Sequence, residues 1–108
     1  MVTTGTEVKN KITSFYKEVK KKYPVKKILL FGSYAYGKPH MDSDIDVAVV
    51  LDLPTHSDRI KITADLFHLT FKVDTLLEPK TIFYDEYLHP EPGSVLEFIV
   101  KNGKVITE

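Results

Sequence analysis

Lys27-Ile28-Leu29-Leu30-Phe31-Gly32-Ser33, ten further residues, and then Asp44-Ile45-Asp46-Val47-Ala48-Val49-Val50-Leu51 form the stretch that decides how this chain folds. Both apolar runs read as buried strands. The second is apolar almost without a break, which suits a central strand covered on both faces. A Gly-Ser turn at the end of a strand offers bare backbone N–H groups to a phosphate. The Ser33 hydroxyl can donate to a phosphate oxygen. Asp44 and Asp46 lie two residues apart at the head of the next strand, so they point to one face. Same-face carboxylates beside a phosphate cradle are the donor set for a divalent cation and its phosphate ligands. The plain alternative is a strand-entry turn, with Asp44 capping and Asp46 solvated.

Working outward, Val8, Ile12, Phe15 and Val19 recur at helical spacing, and Thr4-x-x-Glu7 reads as a capping box. The pattern predicts a helix over 6–22, stopped by Pro24. The first strand is expected at 26–31 and the second at 45–51. After Pro54, Thr55-x-x-Asp58 reads as another capping box. It opens a helix through Thr70 that presents Ile60, Ala64, Phe67 and Phe71 on one face. A third strand is expected at 72–77, ending before Pro79. The segment 80–92 reads as a short helix and a loop. Ser94-x-x-Glu97 opens a last helix through Lys101, stopped by Asn102-Gly103, and 104–107 reads as a short final strand. This order predicts one α/β (α+β) domain over 1–108, with a small mixed β-sheet and helices packed on it.

Composition narrows the function classes. Lys+Arg and Asp+Glu balance at 15 each, so no net field argues for nucleic acid or a membrane surface. Six lysines between Lys17 and Lys27 read as a solvated helix end or a basic docking surface. The chain has no cysteine, which excludes disulfides and thiolate metal sites and fits the cytoplasm. No apolar run approaches membrane-spanning length, and the N-terminus lacks a signal-peptide core.

Two motif matches fail on chemistry. Gly32-x-x-x-x-Gly37-Lys38 nearly spells a P-loop, but Pro39 has no hydroxyl for Mg²⁺, and a strand follows where a helix is required. Asp42-x-Asp44-x-Asp46 resembles an EF-hand start, but Val47 stands where Gly is needed and Leu53 where Glu is needed. His40, His56, His68 and His89 show no metal-ligand spacing.

Leu30-Phe31-Gly32-Ser33-Tyr34-Ala35-Tyr36-Gly37, followed by Asp42-Ser43-Asp44-Ile45-Asp46-Val47, resembles the minimal nucleotidyltransferase domain of the polymerase-beta-like superfamily. Its signature is Gly-Ser, ten residues, Asp-x-Asp, and the likeness runs over nearly the whole chain. The resemblance implies a polymerase-beta palm-like fold and AMP transfer from ATP with Mg²⁺, two ions being usual. It places the nucleotide on Gly32 and Ser33 and the metals on Asp44, Asp46 and a third carboxylate. Asp74, the only acid within 72–77, is expected in that third place, beside the attacking hydroxyl. Where many relatives carry Arg after Gly-Ser, this chain has Tyr34, Ala35 and Tyr36. Neutralising the triphosphate is thus left to Lys38 or a residue elsewhere.

About 30 residues follow the expected third strand, too few for an acceptor domain. The resemblance therefore implies a partner. In the minimal family this is a helical HEPN toxin, neutralised by AMP transfer to one of its tyrosines. Two other readings stand beside it. One is a non-catalytic nucleotide-binding antitoxin that acts by contact. The other is a small-molecule (aminoglycoside-type) nucleotidyltransferase that completes its acceptor site as a homo-oligomer.

Overall fold

Four strands form one mixed sheet, in the order β3-β2-β1-β4. They are β1 (Val25–Phe31), β2 (Ile45–Leu51), β3 (Leu77–Phe83) and β4 (Lys104–Thr107). The computed structural model describes residues 5–32 and 44–107. β1 runs antiparallel to β2 and to β4, whereas β2 and β3 are parallel. A parallel pair needs a crossover, and helix α2 (Arg59–Thr70) supplies it. The remaining helices are α1 (Gly5–Val19), α3 (Tyr84–Leu88) and α4 (Val95–Asn102).

β2 is central, and its alternation sorts the core into two halves. Ile45, Val47, Val49 and Leu51 face α1 and α2, and pack with Ile12, Phe15, Ile62 and Leu66. Ala48 and Val50 face the opposite side, with Leu29, Ile82 and Ile99. That second cluster is smaller, and α3 and α4 cover only part of its face. By the period of two, Asp46 belongs to this thinly covered face.

The helices are held by local chemistry. α1 buries Val8, Ile12, Phe15 and Val19, the face its spacing predicts. Ser94 caps α4 by accepting from the Glu97 N–H at 3.1 Å, and Gly103 follows its last turn. α2 is capped by Asp58, whose Oδ1 accepts from the Lys61 N–H at 3.1 Å, so the expected cap at Thr55 gives way to Asp58.

Two expectations need correcting. α2 buries Ile62, Leu66, Leu69 and Thr70, and leaves Ile60, Phe67 and Phe71 exposed. Its sequence is apolar on both sides, and only the position of the sheet decides which side goes in. The third strand is 77–83, not 72–77. Residues 71–76 instead make turns, with Asp74 Oδ1 accepting from the Leu76 N–H at 2.8 Å. Pro79 lies inside β3. An edge strand tolerates it because one row of its N–H groups has no ladder partner to lose.

Candidate active site

Gly32 ends β1 with φ +75°, a left-handed value that disfavours any side chain. Its position against β2 is equally demanding. A Cβ built at residue 32 would lie 3.0 Å from Asp46 Cγ and would overlap Asp46 Oδ2. The bare glycine backbone and the Asp46 carboxylate therefore share one small space. The antiparallel register accounts for this, since Phe31 pairs with Asp46.

On the other side of Asp46 the parallel register sets Glu78 directly opposite it. Glu78 and Lys80 are the exposed positions of β3, alternating with buried Leu77, Pro79 and Thr81. Both thus project from the face that carries Asp46. A hydrogen bond to Asp44 is the largest influence raising the Glu78 carboxyl above its usual range. Burial and the charges of Asp44 and Asp46 add to it. Burial, then the neighbouring Asp44 charge, raises the Asp46 carboxyl as well. Three carboxylates crowd at the head of β2 and beside it, and the Asp44 charge disfavours ionisation of both Asp46 and Glu78.

Asp74 lies apart from this group. It precedes β3, and its Oδ2 pairs with Lys11 Nζ of α1 at 2.6 Å. Burial pushes the Asp74 carboxyl up, but the Lys11 ammonium and the Leu76 N–H outweigh it and hold it below the usual carboxylate range. In this position it fastens the loop before β3 to α1. The third acid on the carboxylate face is Glu78, which the sequence reading missed. The signal was present in Leu77-Glu78-Pro79-Lys80-Thr81, which alternates apolar and charged residues with a period of two. In the sequence Pro79 reads as the stop of a strand over 72–77 and hides this alternation. Ser33 and Lys38, the other expected nucleotide contacts, lie outside the described residues.

The donor set fits a hard cation, because every candidate ligand is an oxygen and the crowded charges need neutralising. Among the described residues no group of three acids or histidines is arranged to hold a metal ion by itself. Mg²⁺ completes its shell with water and substrate phosphate oxygens, so the protein supplies only part of it.

A cleft of about 460 Å³ opens beside the carboxylates along β3. Its walls are Arg59, Thr63 and Phe67 of α2, Val95 and Ile99 of α4, and Phe31. Asp46, Glu78 and Lys80 line it as well. Arg59 braces the strand edge: Nη1 donates to the Thr81 carbonyl at 2.6 Å and Nη2 to Glu86 Oε2 at 2.5 Å. Its guanidinium also covers the Phe83 ring, 4.6 Å from the centroid.

The model of one family, described as the nucleotidyltransferase domain, matches residues 12–106. The chain belongs to this family. Among relatives of this nucleotidyltransferase domain is a proposed protein adenylyltransferase of Methanocaldococcus jannaschii. It is 40% identical over 83 residues, which span 73% of this chain and 82% of the relative. A second from that organism is 35% identical over 68 residues, 56% of this chain and 69% of the relative. The fold is shared with a nucleotidyltransferase structure from Sulfolobus solfataricus. That match has a TM-score of 0.65 and 15% identity, and covers 91% of this chain and 78% of the other. A toxin-antitoxin crystal structure with AMP-PNP matches the domain at TM-score 0.50 and 25% identity, over 91% of this chain and 71% of the other. Among the described residues no helix is long and apolar enough to cross a membrane.

Proposed function

We propose that this nucleotidyltransferase domain transfers AMP from ATP to a hydroxyl, namely a tyrosine of a helical HEPN-type toxin partner, and so acts as an antitoxin. The observation that carries the reading is the row Gly32, Asp46, Glu78 across β1, β2 and β3, a glycine cradle followed by two carboxylates. The relatives named as protein adenylyltransferases support the protein acceptor. The toxin-antitoxin structure with AMP-PNP supports the partner class.

The residues divide the work by position. Gly32 lets the triphosphate approach the backbone closely, with Ser33 and Lys38 assigned to the same end from the sequence. Asp44, Asp46 and Glu78 would hold Mg²⁺, with Glu78 taking the place expected of Asp74. When bound, the ion supplies charge neutralisation to the triphosphate and to departing pyrophosphate. Glu78, farthest from Gly32, borders the cleft and can accept the proton of an entering hydroxyl. The acceptor oxygen then bonds to the α-phosphorus as the bond to pyrophosphate breaks. Positioning and electrostatics supply most of the acceleration.

The test is to incubate the chain with α-labelled ATP, Mg²⁺ and the product of the neighbouring gene. Label on a partner tyrosine, lost with Asp46→Asn, supports the reading. Toxin inhibition without any label would favour a contact antitoxin. Efficient labelling of a free aminoglycoside with no partner present would overturn the protein acceptor.

A further inference from the structure

Lys80 has no role in the scheme above, yet it stands inside the site. It is exposed on β3, two residues and about 6.6 Å beyond Glu78 on the same face. It lines the cleft that Asp46 and Glu78 also line. The other cation of that cleft, Arg59, is already committed to Thr81 and Glu86. Among the described residues Lys80 makes no ion pair as close as Arg59 makes with Glu86. Among the described residues its charge acts at longer range on Glu86.

The order of the strands fixes which side of the reaction Lys80 serves. Gly32 directly follows β1, Asp46 lies on β2, and Glu78 and Lys80 lie on β3. In an in-line displacement, the nucleophile and the leaving group occupy opposite sides of the phosphorus. With pyrophosphate toward Gly32, the attacking oxygen arrives from the β3 cleft. Phe31, Phe67 and Val95 give that cleft apolar walls beside Lys80.

Resting on the nucleotidyl-transfer reading, we infer that the β3 cleft is the acceptor subsite and that Lys80 is its recognition cation, facing the hydroxyl that attacks. The ammonium favours the oxygen as it loses its proton to Glu78 and bonds to phosphorus. Lys80 forms and breaks no bond, and pyrophosphate leaves on the opposite side. Its role is therefore in acceptor use and not in nucleotide affinity.

The experiment separates those two quantities. Mg²⁺·ATP binding is measured by calorimetry, and AMP transfer from α-labelled ATP to N-acetyl-L-tyrosinamide is followed, for wild type, Lys80→Ala, Lys80→Gln and Lys80→Arg. The expected result is wild-type ATP affinity in all four. The Ala and Gln variants should lose at least about tenfold in kcat/KM for the tyrosine probe, with Arg restoring most of it. A matching loss of ATP affinity would move Lys80 to the nucleotide side and overturn the inference. So would unchanged transfer in the Ala variant. Wild type that binds Mg²⁺·ATP but never labels the probe overturns the cleft as a hydroxyl subsite and leaves nucleotide binding standing. Wild type that fails to bind Mg²⁺·ATP overturns nucleotidyl transfer itself, and the role of Lys80 with it.

Discussion

Gly32 and Asp46 occupy one space, since any side chain at position 32 would fall on the Asp46 carboxylate. Gly32→Ala should therefore displace Asp46 as well as strain a left-handed backbone. The strain alone costs about 1 kcal/mol. We expect Mg²⁺·ATP binding to be lost in calorimetry while circular dichroism remains that of the folded domain. Gly32→Val should be worse. Wild-type affinity in the Ala variant would place the nucleotide elsewhere.

Asp46→Asn should separate stability from activity. Burial and Asp44 raise the Asp46 carboxyl in the folded state, so the folded protein binds protons more readily than the unfolded chain. Stability from this group is thus greatest below the unfolded pKa and falls as pH rises through the raised folded value. Removing the charge should raise the Tm of the metal-free protein at pH 7 and abolish transfer. Added Mg²⁺ should raise the wild-type Tm more at pH 7 than at pH 4. It should raise that of the variant little at either.

Glu78 and Asp74 can be told apart by the same pair of readouts. Glu78→Gln should cut transfer by about 100-fold or more without lowering Tm. Asp74→Asn should leave transfer largely intact and destabilise the fold by about 1–2 kcal/mol, through the weakened contact with Lys11. The folded Asp74 carboxyl is depressed. Its contribution is therefore present above the unfolded pKa and lost as pH falls through the folded one. The stability gap between wild type and Asp74→Asn should close in acid. The reverse outcome, with Asp74 needed for transfer and Glu78 dispensable, would restore the expectation drawn from the sequence.

Arg59→Ala should uncover the free edge of β3, because the guanidinium is bonded to the Thr81 carbonyl. We expect a loss of about 1–2 kcal/mol in urea unfolding. A concentration-dependent rise in self-association should accompany it, as an unguarded edge invites pairing. A variant as stable and as monomeric as wild type would show that the brace is dispensable.

The sequence disclosed some elements and hid others for identifiable reasons. The buried face of α1 was legible because one hydrophobic period dominates it, and β2 because it is apolar almost without a break. Gly32 and the Asp44/Asp46 pair were legible because each contradicts its surroundings, a glycine and two acids bordering apolar strands. β3 was misplaced because Val73-Asp74-Thr75-Leu76 imitates a strand, while Pro79 interrupts the real one. Glu78 was lost with it. The inward face of α2 could not be read, because Ile60, Phe67 and Phe71 compete with Ile62, Leu66 and Leu69 at the same helical period. The aromatic stretch Ile82-Phe83-Tyr84 with Tyr87, read in the sequence as part of a short helix and a loop, caps the domain's own core, while Leu88 is exposed. Ile82 and Phe83 are buried, while Tyr84 and Tyr87 pack against the Ala48–Val50 side of the sheet.

The one parallel pairing in the sheet also dictates a sequence of events during folding. Strands β1 and β2 can meet as neighbours along the chain, but β3 reaches β2 only after the whole segment 52–76 has closed over the sheet. Such a closure is entropically slower than a local antiparallel pairing. Asp46 therefore meets Glu78 only when that closure is complete. A partly folded chain carries Gly32 and Asp46 but not the completed row of acids. On the proposed reading, Mg²⁺-dependent nucleotide binding would thus report that β3 has docked against β2.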